Sequence, residues 1–180
     1  MLFTGKGDDG TTRTFGCDQR IAKSSAIAEA LGSVDEINSL LGVLKMKGGE
    51  SLAITGLSWH TLIADVQQDL FVVQAELAGA EKKMEHARVE KLGNWVNAIE
   101  KILPPITSFF VSGGTELGAL CDYARTVARR AERRVVEAFE KDKKAKKELL
   151  AYMNRLSSLL YALARLANHQ AGITEEKPHY

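Results

Sequence analysis

Five stretches of this sequence place apolar side chains at three- and four-residue intervals, and that spacing commits most of the chain to amphipathic helices. In the first stretch the apolar residues run from Ala30 to Leu44, and in the fourth from Leu117 to Ala138. A helix with one apolar face is stable when that face is buried against another element. The sequence therefore predicts an all-α fold, a five-helix antiparallel bundle with short connections and no strands.

The ends of the predicted helices coincide with helix-breaking residues. Glycines in "KGGES" end the first helix, and Pro104-Pro105 ends the third. Thr115 is a suitable N-cap for the fourth helix, behind the conformationally free pair Gly113-Gly114. The later helices are expected at about Ser51–Gly79, Met84–Leu103, Glu116–Lys141 and Glu148–Ala171.

The chain of 180 residues is expected to form a single domain, residues 1–180. Residues 1–23 are predicted to be a glycine-rich N-terminal loop, residues 24–171 the helix bundle, and residues 172–180 a loose tail. The lysine-rich "KDKKAKK" before the last helix is interpreted as a solvated helix junction.

Charge and cysteine content narrow the class of protein further. A formal net charge of +1 gives no overall field that would attract nucleic acid or an acidic membrane. Cys17 and Cys121 have neither metal-ligand spacing nor the pattern of a disulfide framework. No apolar run approaches the ~20 residues of a membrane span, and the first residues do not resemble a signal peptide. We therefore expect a reduced, cytoplasmic protein that binds neither nucleic acid nor membrane.

The fourth predicted helix carries five arginines in "RTVARRAERR", between Arg125 and Arg134. Arg130 and Arg134 share one side with Glu137, which favours a solvent-facing, ion-paired stripe. Arg125 and Arg129 lie on another side, where crowded guanidinium groups repel one another unless acids or a bound anion neutralise them. These two arginines are therefore expected to find a partner on another element.

For other polar residues, the helical pattern does not settle whether they are solvated or paired. The last helix has a polar stripe of Asn154, Ser158, Tyr161 and Arg165, and we expect the stripe, Arg165 above all, to meet water. Asp35 lies in the middle of the first helix, where it is either solvated or paired with an arginine of another helix.

Two adjacent phenylalanines, Phe109 and Phe110, precede the fourth helix in "FFVSGGTE". In an extended segment they point to opposite sides, so they cannot both enter the same core. One of them faces a ligand or another subunit, or helices cover both sides.

The N-terminal "GKGDDGTT" is glycine-rich, but it lacks the G-x-x-x-x-G-K-[ST] pattern of the common phosphate-binding loop. Its glycines would still let backbone N–H groups converge on an anion, with Lys6 adding charge and Thr11 and Thr12 adding hydroxyl donors. A flexible glycine-rich terminus explains the same pattern equally well.

Four segments, in this order, resemble the ATP:cob(I)alamin adenosyltransferases of the PduO type. They are "FTGKGDDGTTRTFG" from Phe3, "GSVDEINSLLG" from Gly32, "FFVSGGTELGALCDYARTVARRAER" from Phe109 and "YMNRLSSLLYALAR" from Tyr152. The sequence departs from the family's usual pattern at Gly5, at Ser112 and at Ser158, where the family commonly has a basic residue, proline and aspartate.

The resemblance implies a homotrimer of five-helix bundles with active sites between subunits. The implied reaction transfers the 5′-deoxyadenosyl group of ATP to the cobalt of cob(I)alamin, with Mg²⁺ required, and releases triphosphate and adenosylcobalamin. Because few of its side chains could pack, we expect the N-terminal loop to be mobile without nucleotide and ordered with it.

The resemblance also implies roles for individual residues. Lys6, Lys23 and Arg129 would be catalytic, stabilising the leaving triphosphate. Phe109 would press on the lower face of the corrinoid, and Arg125 would pair with Asp35 of a neighbouring subunit. No protein metal ligand is assigned. ATP would be bound by Thr4, Gly5, Lys6, Gly7, Thr12, Arg13, Lys23, Arg129, Arg130, Glu132, Arg133 and Asn154.

Two other functions remain open from the sequence. One is a non-catalytic ATP-binding helical sensor or chaperone. The other is a nucleic-acid-binding bundle that uses "RTVARRAERR", against which the interleaved acids and near-neutral charge argue. The histidines form no catalytic constellation and are expected to be structural or exposed; they are His60, His86, His169 and His179.

Overall fold

A computed structural model describes residues 2–15, 19–48, 56, 58–140 and 146–180 of the chain. Five helices make up most of this structure, as the apolar spacing predicted. The elements are β1 (Thr11–Arg13), β2 (Arg20–Ala22), α1 (Ala26–Lys47), α2 (Trp59–Leu77), α3 (His86–Glu100), α4 (Glu116–Ala138) and α5 (Lys147–Gln170).

Helix α4 packs along both α1 and α5. Near the C-terminal end of α1, Lys47 Nζ lies 2.6 Å from Oε1 of Glu116, the first residue of α4. Midway along both helices, Arg130 Nη2 lies 2.5 Å from Glu36 Oε2. From the first contact to the second, residue numbers fall along α1 and rise along α4, so the two helices are antiparallel.

The core is formed by the apolar faces of all five helices, including the predicted stripe residues Leu41, Leu70 and Leu156. Trp59 fixes the start of α2 against the end of α1, because its indole N–H donates to Leu44 O at 2.7 Å. A Cβ at Gly48 would overlap that indole ring. The glycine that ends α1 is therefore required for space.

A buried carboxylate joins α2, α3 and α5. Asp69 has no exposed surface, and it accepts hydrogen bonds from Arg88 and from the Tyr152 hydroxyl, the latter at 3.2 Å. Lys91 Nζ lies 3.2 Å from the same carboxylate. The hydrogen bond to Asp69 raises the pKa of Arg88, and burial raises the pKa of Tyr152 well above its ordinary value. Charges that are paired in this way hold the three helices in one register.

The prediction of no strands is wrong for the N-terminal segment. β1 and β2 form an antiparallel pair in which Thr11 lies opposite Ala22 and Arg13 lies opposite Arg20. Each strand has three residues, which is too short for an alternating pattern to be visible in the sequence.

The C-terminal segment, predicted to be a loose tail, is anchored as far as Glu176. The backbone N–H of Val111 donates to Glu176 O at 2.8 Å, and that of Ile173 donates to Asn168 O at 3.0 Å. Arg165 Nε donates to Glu175 Oε2 at 2.8 Å. The tail therefore lies across the connection between α3 and α4.

Three sequence predictions concern residues outside the described part of the chain: Cys17, the start of the second helix at Ser51, and the lysine-rich junction from residue 141 to 145. Cys121 is buried in α4, and burial raises the pKa of its thiol. Within the described residues, the helices are either too short or too polar to cross a membrane.

Replacing Asp69 with alanine is expected to lower the free energy of unfolding by about 3 kcal/mol, because it leaves Arg88, Lys91 and the Tyr152 hydroxyl without their shared partner. Asp65→Ala is the matched control, since Asp65 also lies near Lys91 but its side chain is 45% exposed. Urea unfolding followed by circular dichroism measures both. Equal losses for the two variants would contradict the structural role of Asp69.

Candidate functional site

A cavity of about 570 Å³ lies between α4, α5 and the segment that connects α3 to α4. α4 contributes two arginines to its wall, α5 contributes polar and aromatic groups, and the connecting segment contributes apolar side chains. The lining residues are Ile106, Ser108, Phe109, Phe110, Val111, Ser112, Asp122, Arg125, Arg129, Ser157, Ser158, Tyr161, Arg165 and Glu175.

The polar wall of the cavity centres on Arg125. Its Nε donates to Asp122 Oδ1 at 3.1 Å, one turn earlier on α4, and its guanidinium lies 5.9 Å from the centre of the Tyr161 ring. Arg125 therefore has an acidic partner on its own helix, whereas the sequence suggested a partner on another element.

Arg129 is the exposed cation of the cavity wall. Its neighbours Arg130 and Arg134 form ion pairs with Glu36 and Glu137, at 2.5 and 3.0 Å, as predicted for an ion-paired outer stripe. Among the described residues, no acid forms an ion pair with Arg129. Its guanidinium charge is therefore available to an anion that enters the cavity.

Phe109 and Phe110 differ in their surroundings, as predicted for adjacent residues of an extended segment. Phe109 is 79% exposed and faces the cavity. The Phe110 ring is half-buried, and the guanidinium of Arg165 lies 5.0 Å from its centre. The cavity is thus lined both by an exposed aromatic ring and by the arginines of α4.

The prediction that Arg165 meets water is wrong. Its side chain is 6% exposed, and Nη2 donates to Pro104 O at 3.2 Å in addition to the bond from Nε to Glu175. The C-terminal segment covers this residue, and helical periodicity within α5 carries no information about where that segment lies.

The start of α4 is fixed by Asn168 of α5. Its Oδ1 accepts from both the backbone N–H and the hydroxyl of Thr115, each at 3.0 Å, and Thr115 in turn caps the helix. Gly113 and Gly114 have φ values of +127° and +96°. A Cβ at Gly114 would lie 2.8 Å from Asn168 Oδ1, and one at Gly118 would overlap it. The predicted N-cap and glycine turn are confirmed.

The predicted anion-binding loop is a pair of tight turns before β1. Asp8 N–H donates to Gly5 O, and Gly10 N–H donates to Gly7 O, both at 3.2 Å. Gly5 and Gly10 have φ values of +68° and +77°, a region that strains residues with a side chain. Lys23 Nζ donates to Gly7 O at 2.8 Å, so a second cation lies against the loop.

Arg20 organises this loop, a role that no motif or spacing in the sequence indicates. Its guanidinium donates to Lys6 O, to Thr11 O at 3.0 Å and to Thr11 Oγ1 at 2.5 Å. Asp9 accepts from the hydroxyl and the backbone N–H of Thr11, and these bonds lower the pKa of Asp9. The loop was expected to be mobile because few of its side chains could pack. That expectation did not take into account the hydrogen bonds that Arg20 and Asp9 make within it.

Of the predicted nucleotide residues, only Arg129 lies in the described wall of the cavity. Among the described residues, that wall holds none from the N-terminal loop. After the loop and β1, the chain passes Gly79, the second residue after α2. The carbonyl oxygen of Phe15 lies 3.6 Å from the point where a Cβ at Gly79 would be.

The other predicted site residues are largely at the surface. Asp35 is exposed and accepts from Gln74 Nε2 at 3.4 Å. Among the remaining predicted ATP-binding residues, Thr12 and Glu132 are half-buried. The exposed ones are Thr4, Lys6, Arg13, Lys23, Arg130, Arg133 and Asn154. The four histidines are also exposed, in agreement with the sequence prediction.

Comparison with known proteins gives a consistent result. The sequence profile of the family "Cobalamin adenosyltransferase" matches residues 2–167. The corrinoid adenosyltransferase PduO of Salmonella typhimurium is 35% identical, over 97% of this chain and 53% of that protein. The corrinoid adenosyltransferase of Mycobacterium leprae is 34% identical, over 93% of this chain and 91% of that protein. The chain thus spans about half the length of its PduO relatives.

A solved structure also matches the whole chain. It is a variant of a PduO-type ATP:corrinoid adenosyltransferase from Lactobacillus reuteri, complexed with cobalamin and ATP. The TM-score is 0.85 at 28% sequence identity, and the match covers 100% of both chains.

Replacing Arg20 with glutamine is expected to speed amide hydrogen exchange in residues 5–12 of the ligand-free protein by about threefold to tenfold, because a charged hydrogen-bond donor to the loop is lost. Arg134→Gln is the control, since it removes an arginine from an exposed pair with Glu137. Mass spectrometry of labelled peptides reports both variants. Unchanged exchange in the loop would mean that the glycine turns hold it without Arg20.

Proposed function

This chain belongs to the cobalamin adenosyltransferase family, and we propose that it transfers the 5′-deoxyadenosyl group of ATP to the cobalt of cob(I)alamin. The products are adenosylcobalamin and triphosphate. The observation that carries the proposal is the cavity, which exposed Phe109 of the connecting segment lines together with Arg125 and Arg129 of α4. A flat apolar ligand and a polyanion can meet in such a cavity.

In the proposed reaction, cobalt(I) attacks C5′ of ATP. The cobalt–carbon bond forms as the bond from C5′ to the triphosphate oxygen breaks, and that oxygen keeps the electron pair. Cobalt(I) is itself the nucleophile, so the reaction needs no general base. The chain is suited to such a reaction, because the Cys121 thiol is buried and the four histidines are exposed and far apart in sequence.

The main contribution of the protein would be to stabilise the departing triphosphate. Fixed cations and backbone N–H groups stabilise charge as it develops, and they need no reorganisation during the reaction. Arg129 fits this role because its guanidinium is exposed at the cavity and, among the described residues, has no acidic partner. We assign Lys6 and Lys23, with the turns of the N-terminal loop, to the same polyphosphate.

The full set of ATP-binding residues in this proposal combines the loop and the helices. Arg130, Glu132, Arg133 and Asn154 would contact the nucleotide from α4 and α5. The remaining members, from the loop and β1, are Thr4, Gly5, Gly7, Thr12 and Arg13.

We further propose that the site forms between subunits of a homotrimer. The support is that the described cavity wall of one chain holds Arg129 but none of the predicted nucleotide residues of the loop. A second copy could bring its loop to the cavity. Asp35 is exposed on α1, and in the trimer it would pair with Arg125 of a neighbouring subunit.

Phe109 is assigned to the lower face of the corrinoid. A ring that is 79% exposed in the free chain is available for such a contact. Pressed against the corrinoid, it would disfavour the lower axial ligand and exclude water from the cobalt.

Mg²⁺ is proposed to accompany ATP. Within the described residues, no three His, Cys, Asp or Glu side chains are grouped to hold a metal. A magnesium ion bound chiefly by triphosphate oxygens and water fits such a chain, and its positive charge would support the departure of the triphosphate.

The deciding experiment mixes the protein with Mg-ATP and cob(I)alamin under anaerobic reducing conditions and follows adenosylcobalamin by its absorption spectrum. Arg129→Ala is expected to lower kcat by about 10²–10³-fold, the usual loss for one donor to a developing anion. Arg134→Ala is the control, because Arg134 is paired with Glu137 on the outer stripe. Absence of product with the unaltered chain would refute the activity, and an unaffected Arg129→Ala would refute the role of Arg129.

The proposed interface pair can be tested by a double-mutant cycle. Asp35→Asn and Arg125→Gln are each expected to weaken the trimer, and the double variant to be non-additive by about 1 kcal/mol or more. Sedimentation equilibrium measures the association. Strict additivity would rule out direct pairing, and a monomeric unaltered chain would rule out the trimer.

A further inference from the structure

Arg165 joins three segments of the chain at one buried point. From α5, its Nε donates to Glu175 Oε2 of the C-terminal tail at 2.8 Å, and its Nη2 donates to Pro104 O at 3.2 Å. The guanidinium also lies 5.0 Å from the centre of the Phe110 ring. The Arg165 and Glu175 side chains are 6% and 14% exposed, so water competes little for the pair.

Phe109 has little packing of its own to fix its position, because it is 79% exposed. Its next neighbours along the chain are held instead: Phe110 by Arg165, and Val111 by the bond from its N–H to Glu176 O at 2.8 Å. Both of these anchors depend on Arg165 or on the tail that Arg165 holds. The position of the Phe109 ring is therefore set by contacts that its neighbours in the chain make.

The side chains that make these contacts also separate two neighbouring cavities. Phe110, Arg165 and Glu175 line both the large cavity and a second one of about 470 Å³, which lies between the tail and the segment after α3. If the tail were released, the two spaces would join behind Phe109. The wall that carries Phe109 would then lose its support.

We propose that the Arg165–Glu175 pair, hereafter the tail clasp, is a positioning device that fixes Phe109 by holding the tail against the segment between α3 and α4. This role rests on the proposed function, in which Phe109 contacts the corrinoid. Arg165 acts through Phe110 and the tail, without touching ATP. Loss of the clasp therefore affects the corrinoid step and spares nucleotide binding.

The experiment compares Arg165→Gln, Glu175→Gln and Phe109→Ala with the control Arg134→Gln in the full chain. In the ligand-free protein, hydrogen exchange in residues 108–112 and 172–176 is expected to rise about tenfold in both clasp variants, as buried charged hydrogen bonds are lost. In the adenosylation assay, kcat should fall toward that of Phe109→Ala while KM for ATP stays within about twofold. Arg165→Lys keeps the charge but carries its donors on a single nitrogen, so its exchange and kcat should lie between those of the unaltered chain and Arg165→Gln.

Three outcomes would overturn the proposal. One is unchanged exchange in residues 108–112 in Glu175→Gln, a variant at the tail that leaves the buried faces of the bundle intact. Another is faster exchange with an unaltered kcat. The third is a loss confined to KM for ATP. If the unaltered chain forms no adenosylcobalamin, the proposed function fails, and the exchange of residues 108–112 alone then decides whether the clasp holds the Phe109 segment.

Discussion

The hydrogen bonds from Thr115 to the Asn168 side chain tie the first turn of α4 to the last turns of α5. They fix the position of α4 along α5, and so they help to place the arginines of α4 and the segment that carries Phe109 around one cavity. The contact needs two residues without a Cβ, Gly114 and Gly118, because a side chain at either position would meet the amide of Asn168. The geometry of the cavity therefore depends on the N-terminus of α4, which Thr115 caps and Asn168 holds.

The basic wall of the cavity follows from the two faces of α4. One face is buried and includes the small residues Ala124, Ala128 and Ala131, which let neighbouring helices approach closely. The other face carries the arginines, most of them neutralised by acids on α1 or on α4 itself. Arg129 differs because it lies at the cavity without an acidic partner among the described residues. A helix that packs tightly can thus leave one cation available for a polyanion.

The N-terminal loop and the cavity are built by separate sets of contacts. Arg20 and the glycine turns organise the loop, and Asn168, Arg165 and the tail organise the cavity. Among the described residues, the cavity wall includes none from the loop. In the proposed function, a second copy of the chain would bring its loop to the cavity.

Periodicity, capping and motifs are local properties of a chain, and they were sufficient to predict the helices, the N-cap at Thr115 and the family. The partners of Arg165, Asp69 and Arg20 depend instead on how distant segments pack together. Arg165 bonds to Pro104, 61 residues away, and Asp69 to Tyr152, 83 residues away. A side-chain pattern predicts which face of a helix is polar, but what covers that face depends on segments distant in sequence. For that reason Arg165 was predicted to be solvated and is instead buried at the centre of the clasp.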